Sequence, residues 1–278
     1  MEFKALLDIL EESVVLAVIV IALMFAIEAF NFTSHGRLIS FLHRSRAGQI
    51  IASAVFGAIP GCVGGYFSVS MYSKKMFTFG ALMAMAVATT GDEAFVMLAM
   101  YPKASAAIFA GLLVLGTTVG FLVDAKSVNY IEKDAAECDC PDMDSVHIEE
   151  HKSLRHRFMH TLKHGLKIFL WTFGIMTAVW LVEQFVDLET WVNGNTALMI
   201  LLAVLIGCIP SSGPHLVFVT LYGSGVIPLC VLIANCISQE GHAGLPLIAA
   251  SRKDFLRMKA LKCALALIAG FALMLVMK

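Results

Sequence analysis

Hydrophobic residues along the chain are concentrated in six long runs, at residues 14–30, 76–100, 104–123, 165–186, 226–250 and 260–277. A helix needs roughly 17–25 apolar residues to cross the hydrocarbon core of a bilayer, and these runs have that length. They lack the strict alternation of apolar and polar residues that is typical of membrane β-barrels. Because a chain in lipid must satisfy its backbone hydrogen bonds internally, the pattern predicts an all-α polytopic membrane protein.

Two further apolar segments, 48–73 and 196–223, are each interrupted near the middle by Ile-Pro and small residues. The interruptions belong to a pattern that occurs twice, with the second copy 150 residues after the first. The first copy contains Gly57-Ala58-Ile59-Pro60, Tyr72, Gly91, Lys103 and Gly120-Phe121, and the second contains Gly207-Cys208-Ile209-Pro210, Tyr222, Gly241, Lys253 and Gly270-Phe271. Two membrane halves with Gly/Pro-interrupted helices at equivalent positions are typical of secondary transporters with a binding site near the bilayer midplane.

The interrupted segments permit two topologies, which the distribution of positive charge separates. If both segments cross the membrane, the halves are parallel, and the Lys and Arg residues divide almost evenly between the two sides. If both are re-entrant hairpins, the halves are inverted. With the N-terminus outside, all of the 20 Lys and Arg residues except Lys4, Lys103 and Lys278 are then cytoplasmic, Lys259 and Lys262 included. Cytoplasmic loops carry the excess of Lys and Arg in membrane proteins, so the inverted arrangement is favoured.

The predicted fold is therefore a pair of inverted-topology repeats, each with three crossing helices and one re-entrant helical hairpin, which makes ten membrane elements. Residues 1–123 form the first repeat, residues 124–164 form a cytoplasmic linker, and residues 165–278 form the second repeat. Both termini are expected outside.

The composition agrees with a membrane location and argues against a nucleic-acid partner. Hydrophobic residues make up 59% of the chain, above the roughly 45–50% of soluble domains. The formal net charge is only −1, which provides no electrostatic attraction to nucleic acid. The stretch before the first apolar run is acidic, so we interpret that run as mature protein rather than as a signal peptide. The 7 cysteines are an odd number and do not suggest a disulfide framework.

Irregular backbone at membrane depth is tolerated where protein buries it or where it lines a wet cavity, and the chain has four such places. Two are the hairpin tips, and two are breaks in the following spans, at residues 89–93 and 238–242. Inverted symmetry is expected to bring all four together near the midplane. The tip residues are Pro60, Gly61 and Cys62 in the first half, and Pro210, Ser211 and Ser212 in the second.

Polar residues at the tips and breaks are candidates for binding a substrate ion, because a charge inside a membrane segment costs at least about 2.5 kcal/mol. These candidates are Asp92, Glu93, Glu240, His242, Gln239, His215 and Thr90. Carboxylates with imidazoles suit a divalent cation such as Mn²⁺, Fe²⁺ or Zn²⁺. The predicted metal ligands are Asp92, Glu93, Glu240 and His242. Two alternatives stay open, since a carboxylate can cap a half-helix and a histidine can make a structural hydrogen bond.

Cysteines at the tips keep a second kind of site open, because a soft ion such as arsenite prefers thiolates. Cys62 and Cys208 both lie at hairpin tips but are not equivalent in the 150-residue register. We interpret both as small tip residues, and Cys230, Cys236 and Cys263 as packing residues.

The linker contains a tract of Cys, His and carboxylate residues that is typical of cytoplasmic metal capture. The candidate ligands are Cys138, Cys140, His147, His151, His156, His160 and His164, the last three on one helix face. Cys138-Asp139-Cys140 lacks the ordinary spacing of a zinc site, so a solvated linker is the alternative interpretation.

Several of these features resemble the ten-transmembrane heavy-metal exporter family, whose members are described as arsenic efflux proteins or manganese transporters. The resemblance is carried by Thr-Thr-Gly-Asp-Glu-Ala-Phe at 89–95, Ser-Gln-Glu-Gly-His-Ala-Gly-Leu-Pro at 238–246, the duplicated Ile-Pro tips and the histidine-containing linker. It covers essentially the whole chain and implies export of a metal or metalloid. It identifies no ligands.

The function predicted from these patterns is a secondary transporter of the inner membrane that exports a divalent, Mn-like transition metal from the cytoplasm in exchange for protons. No Walker-type phosphate loop occurs, and neither an enzyme activity nor a permanent cofactor is expected. The expected partners are the lipid bilayer and the transported metal, with the chain a monomer or a homodimer. The alternative is an exporter of arsenite or another metalloid or anionic solute. An intramembrane metalloenzyme, which would need a His-Glu-x-x-His type motif, and a passive channel are less favoured.

Overall fold

The computed structural model describes residues 45–61, 63–73, 75–127, 194–209, 213–240 and 244–277, with isolated positions between 7 and 22 and between 163 and 181. Within the continuous ranges the regular secondary structure is α-helical throughout. These ranges contain five helices of the first half: α1 (Arg46–Ala58), α2 (Val63–Ser73), α3 (Phe79–Ala88), α4 (Glu93–Met100) and α5 (Pro102–Ser127). They contain five helices of the second half: α6 (Thr196–Gly207), α7 (Gly213–Gly223), α8 (Leu229–Ser238), α9 (Gly244–Ala250) and α10 (Arg252–Val276).

The helices end at the tips and breaks that the sequence predicted. The bounds of α2 and α7, and those of α3 and α8, differ by 150 residues at both ends. The physical causes are local. Pro60 has no amide hydrogen to continue α1, and Gly61 and Gly91 have φ values of +101° and +61°, in the region that favours glycine. The opposite orientation of the halves and the re-entrant character of the hairpins stay predictions.

Three described segments are long and apolar enough to cross a membrane: Phe79–Met100, Pro102–Ala125 and Arg252–Val276. The first contains α3, a break and α4, and 94% of its most apolar stretch is buried inside the protein. The corresponding figure for the other two, which lie in α5 and α10, is 22%. The broken helix is thus surrounded by protein while α5 and α10 present apolar surface outward, as expected for irregular backbone in a membrane.

The two halves contact each other through corresponding helices. Within each half, α3 packs on α1 and α5, and α8 packs on α6 and α10. Between the halves, α4 packs on α7 and α2 packs on α9, while α3 contacts α8. The Tyr101 hydroxyl, just after α4, donates to the Val219 carbonyl of α7 at 3.3 Å. These contacts place the break after α3 beside the break after α8.

Two stripes of small residues in the sequence predict close helix packing, one formed by Gly111, Gly116 and Gly120 and the other by Ala266 and Gly270. The structure shows close neighbours at Gly116, Gly120 and Gly270. A Cβ atom at Gly116 would lie 2.6 Å from the Ala84 carbonyl oxygen on α3. Gly111, on the same helix and in the same predicted stripe, has no neighbouring atom within 4 Å of a Cβ position. The prediction of close packing is therefore wrong for Gly111, which lies on the exposed face of α5.

Replacing Gly116 by alanine is expected to lower the melting temperature of the detergent-solubilised protein, because forced overpacking costs about 1–3 kcal/mol. Gly111→Ala is the matched control on the same helix. It is expected to be neutral or stabilising, because alanine favours a helix over glycine by about 1 kcal/mol. Equal melting temperatures for the two variants would contradict the close contact between α3 and α5.

Candidate functional site

The two broken helices meet at their breaks. The side-chain amide of Gln239 donates to the backbone carbonyl of Thr89 at 3.4 Å, and these residues occupy corresponding positions in the two halves. The Gly61 amide at the first hairpin tip donates to the Gly91 carbonyl at 3.0 Å, which attaches that tip to the first break. We call residues 89–93 and 238–240, together with the side chains of Lys259 and Lys262, the junction.

Glu240 in the junction is held by two lysines of α10. Lys259 Nζ lies 2.5 Å from Glu240 Oε2, and Lys262 Nζ lies 3.8 Å from Glu240 Oε1. The Glu240 carboxylate and the Lys262 ammonium are both almost completely buried. A buried charge is costly unless it is paired, so the three charges stabilise one another.

Lys259 uses all three of its N–H groups. Besides Glu240, its ammonium donates to the carbonyl oxygens of Gly207 at 2.7 Å and Ser238 at 3.0 Å. Gly207 ends α6 and Ser238 ends α8, where backbone carbonyls lack intrahelical partners and carry the negative end of the helix dipole. Lys259 therefore donates hydrogen bonds to the C-terminal carbonyls of two interrupted helices.

Lys262 connects the two halves of the protein. Its ammonium donates to the Ala86 carbonyl in α3 and, at 2.5 Å, to the Gln239 carbonyl that follows α8. It also interacts electrostatically with both Glu93 and Glu240. The junction thus contains a buried cation between the carboxylates of the two breaks.

These lysines are residues of the junction that sequence reasoning missed. The charge count treated Lys259 and Lys262 only as cytoplasmic charges, whereas their side chains are buried in the structure. Lys259 lies seven residues after the start of α10, which corresponds to about 10 Å along the helix. The signal that could have indicated their burial is their i, i+3 spacing, which places both lysines on one face of α10. Met258 on the same side of the helix is also buried.

The first break contributes two buried carboxylates, Asp92 and Glu93. Glu93 is 2% exposed, and its Oε1 atom has no hydrogen-bond partner. Asp92 occupies the N-cap position of α4, but its side chain makes no capping hydrogen bond. Two more buried oxygens in the junction lack a hydrogen-bond donor, namely Gln239 Oε1 and Glu240 Oε1. Thr90 is also buried there.

His215 at the start of α7 is engaged through both ring nitrogens. Nε2 contacts the Ile209 carbonyl at 3.2 Å, and Nδ1 contacts the side-chain amide of Asn235 at 3.4 Å. Because a carbonyl can only accept, these partners assign the proton to Nε2 and make Nδ1 the acceptor. In this conformation His215 connects the second hairpin to α8 and presents no free nitrogen to a metal.

Among the described residues, no group of three or more His, Cys, Asp or Glu side chains is close enough to hold a metal ion. Asp92, Glu93 and Glu240 therefore do not form a three-ligand site in this conformation. Several predicted residues lie outside the described part of the chain: Cys62, Pro210, Ser211, Ser212, His242, and the linker residues Cys138, Cys140, His147, His151, His156, His160 and His164.

The apolar helices, the buried break and the charged junction define a multi-pass helical membrane protein. The particular family follows from a family model described as "Putative, 10TM heavy-metal exporter", which matches residues 8–185 and 172–277. The chain belongs to this family, as its motifs predicted. The description of the family suggests a membrane exporter of heavy metals. No curated protein and no solved structure matches the chain.

Proposed function

We propose that this protein is a secondary transporter that exports a divalent, Mn-like transition metal from the cytoplasm in exchange for protons, and that the metal binds at the junction. The observation that carries the proposal is that three of the buried side-chain oxygens without a hydrogen bond belong to the junction, namely Glu93 Oε1, Gln239 Oε1 and Glu240 Oε1. Buried acceptors are almost always paired, and an ion is one explanation for those that are not.

The donor set suits a hard or intermediate cation. Carboxylate and amide oxygens are ligands that Mn²⁺ accepts readily, and both broken helices contribute them. Asp92, Thr90 and His242 are further proposed ligands from the same breaks. His215 is the predicted candidate that this conformation disfavours, because both of its nitrogens are occupied.

We propose that the Lys262 ammonium balances the negative charge of the carboxylates when no metal is bound. Its ammonium interacts electrostatically with Glu93 and Glu240. These two carboxylates would have to come together to bind one metal ion. A divalent ion in the same place would repel the ammonium, so the lysine must withdraw as the metal binds. Exchange of one cation for another keeps the buried charge close to balanced in both states.

Alternating access is proposed to arise from two inverted repeats. The support is the 150-residue correspondence of the helix bounds and the reciprocal contacts of α2 with α9 and of α4 with α7. Movement of one half against the other would open the junction to each side in turn. We place the protein in the inner membrane with both termini outside and the linker in the cytoplasm.

A second candidate function is export of a metalloid or anionic solute, and the two buried lysines are the observation in its favour. Lys259 has no N–H group left for an anion. Lys262 already makes two hydrogen bonds and an ion pair. We therefore favour the cation.

Transport in inside-out proteoliposomes tests the proposal. Wild-type protein is expected to take up Mn²⁺ with saturable kinetics, and Glu93→Gln to reduce uptake by at least about tenfold, since disturbing even the outer shell of a metal site costs 10–100-fold. Asp124→Asn is the matched control, because Asp124 is also a buried carboxylate but packs against Gly80, at the other end of α3 from the break. A Cβ atom added at Gly80 would lie 2.7 Å from the Asp124 Cβ. Gly80 is ten residues before Thr90, about 15 Å along a helix.

Three outcomes would contradict the proposal. Arsenite uptake without divalent-metal uptake would favour the second candidate. Uptake that does not saturate would indicate a channel. Equal loss of Mn²⁺ uptake in Glu93→Gln and Asp124→Asn would show that the loss is not specific to Glu93 and that Glu93 is not a metal ligand.

A further inference from the structure

Two cysteine side chains are in contact at the edge of the junction. Cys208 Sγ and Cys263 Sγ are 3.4 Å apart, although the residues are 55 positions apart in the sequence. Cys208 follows Gly207 at the second hairpin tip, and Cys263 follows Lys262 on α10. Both thiols are free and partly exposed, whereas Cys230 and Cys236 are buried in α8.

We propose that Cys208 and Cys263 form a binding site for a thiophilic metal or metalloid ion, which bridges the second hairpin and α10. Thiolates are the preferred ligands of soft ions. For a divalent ion, each thiol releases one proton as its sulfur bonds to the metal, so two protons leave for every ion bound. This site is additional to the oxygen-lined junction and does not depend on the proposed transport function.

The separation of the sulfur atoms selects the coordination geometry. With metal–sulfur bonds of about 2.3 Å, a 3.4 Å separation corresponds to a sulfur–metal–sulfur angle of about 95°. A linear two-coordinate ion would need sulfur atoms about 4.6 Å apart at the same bond length. The pair therefore suits an ion that accepts two adjacent thiolates at a narrow angle, such as a pyramidal trivalent metalloid. A tetrahedral ion such as Cd²⁺ would need the two sulfur atoms slightly farther apart.

The pair lies beside the charged side chains of the junction. Cys263 interacts electrostatically with Lys259 and Glu240, so it lies within the field of the junction. Cys208 Sγ contacts the Val204 carbonyl at 3.5 Å.

A bridging ion would join the same two elements that Lys259 already joins. The Lys259 ammonium on α10 donates to the carbonyl of Gly207, the residue before Cys208. An ion across Cys208 and Cys263 would reinforce this contact by a stronger, coordinative link. It would hold the end of α6 against α10, next to the lysines that occupy the junction.

Cadmium binding to the full-length protein in detergent tests this proposal. The background is Cys138→Ser with Cys140→Ser, which removes the linker thiols, and the readout is the sulfur-to-cadmium charge-transfer absorption in the ultraviolet. We expect one Cd²⁺ per chain, with the absorption lost in either Cys208→Ser or Cys263→Ser. Cys230→Ser is the matched control and should retain it. Arsenite should compete with Cd²⁺ if the site accepts pyramidal metalloids, and a divalent-only site is indicated if Zn²⁺ alone competes.

A second measurement needs no substitution at the pair. Cd²⁺ should protect Cys208 and Cys263 together from alkylation by a maleimide, as read by peptide mass spectrometry. Glu93→Gln should bind Cd²⁺ normally, which separates this site from the proposed transport site. The proposal is overturned if Cd²⁺ protects neither thiol, or if the absorption survives in both single serine variants.

Discussion

Replacing Lys262 by methionine is expected to destabilise the metal-free protein by about 3–5 kcal/mol, the usual cost of removing one partner from a buried ion pair. The methionine side chain keeps most of the volume and removes the charge. Glu240 would lose its partner at 3.8 Å, and the Ala86 and Gln239 carbonyls would lose their donor. The variant should consequently be more stable with Mn²⁺ than without it, and by a wider margin than the wild type.

Thermal unfolding in detergent, with and without Mn²⁺, measures both effects. Lys253→Met is the matched control, because Lys253 lies on the same helix but is exposed. If Lys262→Met unfolds like Lys253→Met, the lysine does not compensate the junction. If Lys262→Met is destabilised but Mn²⁺ restores no more stability than in the wild type, then the lysine is structural and does not occupy the place of the metal.

Replacing Glu240 by glutamine is expected to be similarly destabilising, by about 3–5 kcal/mol, because it removes the carboxylate with which two buried ammonium groups form ion pairs. The side chain keeps its shape, so packing alone would predict little change. Adding Lys262→Met to Glu240→Gln should cost less than Lys262→Met costs alone, since the lysine has already lost its Glu240 partner. We expect the double variant to be less destabilised than the sum of the single variants by about 0.5–3 kcal/mol, which is the range for residues in direct contact.

This coupling should not restore transport. Glu240→Gln and the double variant both lack the Glu240 carboxylate that we propose as a ligand, so Mn²⁺ uptake should remain low in each. Glu240→Gln combined with Lys253→Met controls for the removal of any lysine from α10, and its two effects on stability should be additive. Additive effects of Glu240→Gln and Lys262→Met would show that the two side chains are not energetically coupled.

Most of the helical architecture could be predicted from the sequence, because its causes are local. Apolar runs of membrane length predict spans, and Ile-Pro and glycine interruptions predict helix ends. The bounds of α2, α3, α7 and α8 follow these signals closely. The prediction of site residues had a similar basis and gave Asp92, Glu93 and Glu240. A charged residue beside a glycine break in an apolar segment can be recognised from the sequence alone.

The partners of these residues could not be predicted in the same way. Lys259 and Lys262 lie in a polar stretch at the start of α10, which reads locally as a cytoplasmic boundary. Their burial depends on carbonyls of other helices, such as Ala86, 176 residues from Lys262. In the first half the positions that correspond to the lysines are Phe109 and Leu112. The repeat therefore did not indicate that Lys259 and Lys262 belong to the site.

The sequence by itself determined the class of protein, its family, the places where the helices break and the carboxylates at those places. Only the tertiary structure decided that Glu240 is paired with lysines, that both nitrogens of His215 are occupied, and that Cys208 contacts Cys263. The physical reason is the range of each interaction. Helix formation and interruption depend on neighbours within a turn or two, whereas the pairing of buried charges and thiols depends on which distant segments pack together.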